Sequence, residues 1–126
     1  MNSASKDKWN QLLHSFGYAM SGIRTAFKQE NNLKIHLFVS VIVILMGLVL
    51  SISNMEWLII LLAIGGMISL EMINSAIERA VDLVTIDFHP LAKAAKDMAA
   101  GAVLIFAVIS VIIGLIIFLP KIALLI

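Results

Sequence analysis

Between Glu71 and Asp82 the chain sets Glu71, Asn74, Ser75, Glu78 and Asp82 at steps of about one helical turn inside a segment that is otherwise mostly apolar. At 100° per residue these five side chains share one narrow face of a helix. A row of carboxylates and an amide can do three things. It can hold a hard cation such as Mg²⁺ through oxygen, usually with one or two carboxylates and the phosphates of a substrate. It can accept a proton from a reacting hydroxyl. It can also relay protons or ions through a span. An acid within a membrane helix costs about 2.5–3.5 kcal/mol on insertion scales, so it has a function or a partner.

The elements around this stripe are dictated by composition. The sequence has 126 residues, of which 61% are hydrophobic and 13% charged. Soluble domains run at roughly 45–50% apolar and about 25% charged, so lipid is the main solvent for one all-α domain here. Three runs reach the length of about 20 apolar residues that a bilayer crossing needs. They are expected at about 37–53, 57–83 and 98–119. Each must be helical, because backbone polar groups find no water in lipid. Ahead of them, Trp9, Leu12, Leu13, Phe16, Met20, Ile23 and Phe27 recur at helical spacing. With Lys6, Lys8, Arg24 and Lys28 on the polar side, they predict an amphipathic surface helix over 6–30. The first 36 residues lack the pattern of a secretory signal, so no cleavage is expected.

Charge sets the orientation. Lys6, Lys8, Arg24, Lys28 and Lys34 precede the first span, Arg79, Lys93 and Lys96 surround the second connection, and Lys121 alone falls on the other side. The positive-inside rule therefore puts the N-terminus in the cytosol and the C-terminus outside. With Trp57 at the outer interface, a rise of 1.5 Å per residue sets Glu71 roughly 21 Å in and Glu78 roughly 32 Å in. Across a core of about 30 Å, Glu71 lies beneath the inner headgroups and Glu78 at the cytosolic edge. Glu30 and the Lys96-Asp97 pair come to the same interface. A net charge of +1 without basic runs excludes nucleic acid, and the absence of cysteine excludes disulfides and thiol chemistry. The three histidines, without paired spacing, do not suggest zinc; His36 and His89 are expected at the interface or beside a nucleotide. No glycine-rich phosphate loop is present. Gly65-Gly66 and the small residues from Ala95 to Gly101 read as close helix contacts.

The residues leave three readings open: a phosphoryl-transfer site, a proton or ion pathway, and a stripe that only fastens helices. Against a pathway, the flanking spans carry only Ser40 and Ser110 as polar groups over 39–50 and 103–119.

The pattern Glu71-x-x-Asn74-Ser75-Ala76-Ile77-Glu78-x-x-x-Asp82, followed by Ala95-Lys96-Asp97 and Gly101-Ala102-Val103, resembles the small prokaryotic diacylglycerol kinase family, including the undecaprenol kinases of Gram-positive bacteria. The resemblance covers nearly the whole chain. It implies a homotrimer of three-span subunits with a surface helix, in the bacterial cytoplasmic membrane, with sites where subunits meet. It implies ATP as co-substrate, Mg²⁺ as cofactor and a lipid alcohol as acceptor. Residue by residue it makes Glu71 the general base and Glu30 and Glu78 the Mg²⁺ ligands. Tyr18, Glu30, Asn74, Glu78, Asp82, Asp87, His89, Lys96 and Asp97 would line the ATP site. Where the Gram-negative branch carries an arginine seven residues before the tyrosine, this chain has Gln11. The stretch from His89 to Asp97 is similar to the Gram-positive branch, which points to undecaprenol, with diacylglycerol as the alternative acceptor.

Overall fold

The computed structural model describes residues 3–126, and these form four helices: α1 (Ser3–Gln29), α2 (Asn31–Val49), α3 (Asn54–Val84) and α4 (Pro90–Ala123). The last three are long and apolar enough to cross a membrane. α4 packs mainly on α3, α2 packs on α3, and α1 touches the start of the bundle through α2 and α3.

Hydropathy alone locates the helices but not their ends. The chain is already helical at Asn31, six residues before the expected start of the first span, and α4 begins at Pro90 rather than near 98. Proline at the first helical position loses no hydrogen bond, since its missing N–H would be unpaired there anyway. His89 completes the start of α4, its Nδ1 accepting from the N–H of Leu91 at 3.2 Å. Only Glu30 separates α1 from α2, in an extended conformation with φ −100° and ψ 112°.

The end of the bundle remote from Glu30 is the tightest part. α2 stops in a Schellman arrangement, with Ile52 N–H donating to Gly47 O at 3.2 Å and Ser51 N–H to Leu48 O at 3.4 Å. This puts Ser51 at φ 49°. α3 then starts with a reciprocal box: Glu56 N–H donates to Ser53 Oγ at 3.2 Å and Ser53 N–H to Glu56 Oε2 at 2.7 Å. Lys121 ties α4 to the same carboxylate at 3.1 Å. Ile52, Ile60, Ile117 and Phe118 form the buried core here, with Trp57 packed against it. The indole lies on Gly47, where an added Cβ would come within 2.8 Å of it. Gly66 admits the ring of Phe106, which a Cβ would meet at 2.4 Å, while at Gly65 a Cβ would meet nothing within 4 Å. The expected small-residue contact is thus made inside the chain by Gly66, and Gly65 faces outward.

Among the described residues only eight hydrophobic side chains are buried, and large apolar residues are exposed along every helix. So little core leaves the outer surface to be covered by lipid or by other chains.

Candidate active site

The helical stripe expected from spacing is realised on α3, and burial grades along it. Glu71 is 5% exposed and Ser75 7%, whereas Glu78 is half-buried. The deepest carboxylate is not alone. His36, on the first turns of α2, places Nε2 3.3 Å from Glu71 Oε1. The helix turn that carries His36 is fixed in part by Ser40, whose Oγ donates to the His36 carbonyl at 2.6 Å. A buried carboxylate needs a polar or charged partner to offset lost hydration, and the His36 imidazole edge is set against it at 3.3 Å.

One turn toward the C-terminal end of α3, Asn74 donates its amide N–H to Glu78 Oε1 at 3.2 Å. Its Oδ1 is buried and has no hydrogen-bond partner. Such an acceptor costs free energy unless a ligand or ion completes it. Beyond it Arg79 reaches across to the α1–α2 break, its Nη2 donating to Glu30 Oε1 at 2.7 Å and to Gln29 Oε1 at 2.8 Å. That contact fixes Glu30 beside the stripe although it lies 49 residues away in the chain. From α4, Lys96 reaches Asp82 at 2.5 Å, and Lys93 pairs with Asp97 one turn away.

The remaining expected residues lie farther out. Tyr18 is 76% exposed on α1 and stacks on His14 with ring centroids 6.5 Å apart. Asp87 is exposed in the α3–α4 connection, where its N–H donates to Thr85 Oγ1 at 3.2 Å. The chain therefore brings Glu71, Asn74, Glu78, Asp82, Glu30 and Lys96 to one end of the bundle. Tyr18 and Asp87 make only local contacts. Sequence reasoning missed two residues. His36 was read as interfacial or as a neighbour of the nucleotide, not as a partner of Glu71, and Arg79 only as a charge that sets orientation; each is placed by a contact between helices.

The fit to Mg²⁺ can be tested on the donors. Glu30, Glu78 and the unpartnered Asn74 Oδ1 are all oxygen donors, the set that a hard cation takes. Among the described residues no three acidic, histidine or cysteine side chains come close enough to cage a metal unaided. Two carboxylates completed by substrate phosphates fit that arrangement, and a cage made of protein alone does not.

Three helices long and apolar enough to span a membrane, one of them carrying an acidic row, define a multi-pass helical membrane protein, and comparison with known proteins narrows the class. Residues 17–118 match the family model described as prokaryotic diacylglycerol kinase. The chain is 53% identical over 120 residues to the undecaprenol kinase of Bacillus subtilis, covering 93% of this chain and 98% of that protein. It is 40% identical over 119 residues to a diacylglycerol kinase of Synechocystis, covering 91% of this chain and 68% of the relative. To the diacylglycerol kinase of Escherichia coli K12 it is 26% identical over 104 residues, covering 82% and 85%. The chain belongs to the prokaryotic diacylglycerol kinase family. It is a multi-pass membrane protein and, by descent, a lipid kinase.

Proposed function

We propose that this protein transfers the γ-phosphoryl group of ATP to undecaprenol at the cytosolic face of the membrane, giving undecaprenyl phosphate. The observation that carries this reading is the graded stripe on α3: a buried carboxylate partnered by histidine at lipid depth, continuous with charged groups at the end that meets the cytosol. The 53% identity to an undecaprenol kinase favours that acceptor over diacylglycerol.

Each residue takes a step in keeping with its depth. Glu71 accepts the proton of the attacking hydroxyl, while His36 holds one carboxylate oxygen and leaves the other for the alcohol. Glu30 and Glu78, with Asn74 Oδ1, would hold Mg²⁺. When bound, that ion would neutralise phosphate charge. Lys96 shifts from Asp82 toward the nucleotide phosphates, and Asp97, Asp87, His89, Asp82 and Tyr18 border the nucleotide. Phosphoryl transfer asks mainly for positioning and charge neutralisation, which this set supplies.

The orientation puts the N-terminus and the α3–α4 connection in the cytosol, in line with the basic residues. α1 rests on the inner surface with Trp9, Leu12, Leu13 and Phe16, all exposed, turned into the headgroup boundary. Three copies assemble, which would enclose a nucleotide that one chain leaves open. The test offers purified protein labelled ATP with undecaprenol and with diacylglycerol in matched micelles. Preferential labelling of undecaprenol is expected; preference for diacylglycerol overturns the acceptor, and labelling of neither overturns the reaction.

A further inference from the structure

The spans between the charged end and the outer core are not solidly packed. A cavity of about 320 Å³ lies among α2, α3 and α4. His36, Ser40 and Val43 form one wall, Ile60, Ala63 and Met67 the second, and Ser110 and Gly114 belong to the third. On α3 the lining runs from Met67, one turn below Glu71, to Ile60, a length of about 10 Å. The two serines that interrupt the apolar spans both face it.

Two features distinguish this crevice from a packing defect. Its upper wall includes His36, the same ring that lies 3.3 Å from Glu71, so cavity and carboxylate share one boundary. Of its two serines, Ser40 returns its hydroxyl to the His36 carbonyl, whereas Ser110 Oγ is buried without a hydrogen-bond partner. A serine in a helix ordinarily returns its hydroxyl to the carbonyl four residues earlier, and this one does not.

We propose that this crevice is the subsite for the lipid tail: it receives the isoprene units next to the hydroxyl and delivers the alcohol to Glu71 past His36. The inference rests on the kinase reading above and adds to it the place where the acceptor chain is gripped. Direction supports it, since a lipid whose hydroxyl sits at Glu71 must run its tail toward the bilayer centre, which is the way the crevice extends. Chemistry supports it as well. The walls are aliphatic, and the olefinic bonds of a prenyl chain are weak acceptors for the Ser110 hydroxyl, which a saturated acyl chain cannot offer. Gripping the first units and leaving the rest in lipid also accounts for a cavity much smaller than a whole polyprenyl chain.

Gly114 provides the test, because it lines the cavity and a Cβ there would meet nothing within 4 Å. In Gly114→Leu, the ratio of kcat/KM for a long prenyl alcohol to that for a short one reaching only His36 should fall about tenfold or more, the range that a few methylenes are worth in an apolar pocket. Photolabelling of the wild-type protein by a prenyl alcohol with a diazirine near the hydroxyl, without ATP, should mark α2 and α4 at lining positions. It does not depend on turnover, so it separates failure of the crevice from failure of the kinase reading. An unchanged ratio, or label confined to the outer helix faces, overturns the proposal. So does loss of the oligomer in Gly114→Leu with equal loss for both alcohols, which would mean that a neighbouring copy fills the space.

Discussion

Replacing Glu71 by glutamine isolates proton acceptance from packing. The side chain is 5% exposed, so a smaller residue would leave a cavity and confuse loss of base with loss of fold. Glutamine matches the volume, and its Oε1 offers an acceptor to His36 Nε2, which lies 3.3 Å from Glu71. The new amide N–H group needs an acceptor, and Asn74 Oδ1, one turn along the same face, is buried and unpaired. With both bonds available, stability should move by about 1 kcal/mol or less, the net worth of one hydrogen bond. The reaction fares differently. A general base contributes about 10²–10⁴ in rate, equal to roughly 3–5 kcal/mol of barrier at 1.36 kcal/mol per decade. The assay is transfer of labelled phosphate from ATP to undecaprenol at saturating lipid, alongside thermal unfolding and native mass of the assembly. Expected is a fall in kcat of at least two decades with fold and oligomer retained. Turnover within tenfold of wild type would remove Glu71 from the role of base, and dissolution of the assembly would make the stripe a fastener.

Three further outcomes follow from particular contacts. Gly66→Ala must displace the Phe106 ring and should lower stability by about 1–3 kcal/mol, whereas Gly65→Ala should be silent in the isolated chain, so a loss on assembly at Gly65 would locate a neighbouring copy; thermal unfolding with native mass reads both. Lys96→Met should raise KM for ATP while changing stability by less than about 1 kcal/mol, because its bridge to Asp82 is largely exposed. Ser53→Ala removes the side-chain half of the α3 cap and should cost about 0.5–2 kcal/mol of stability without altering KM for either substrate, as that turn lies at the far end from the carboxylates.

What could be read from the sequence was whatever repeats within a helix. The stripe from Glu71 to Asp82 needs only 100° per residue, and three apolar runs need only counting. Helix ends were less legible, because α2 and α4 extend beyond their apolar parts into polar residues that hydropathy does not score; α4 begins at Pro90, eight residues ahead of its expected apolar run. Contacts between helices were not legible at all. No local pattern relates His36 to Glu71, 35 positions on, or Arg79 to Glu30 across 49. A salt bridge or a histidine pairing depends on rotation and depth of two helices, which packing determines.

The joint at Glu30 has a mechanical consequence. α1 is a rod of 27 residues, about 40 Å long, and a single extended residue couples it to α2. With no slack between them, a tilt of α1 relative to α2 turns the peptide that carries the Glu30 carboxylate and pulls on its tether to Arg79. Motion of the rod is thereby passed to one edge of the candidate site through the shortest linkage a polypeptide can make.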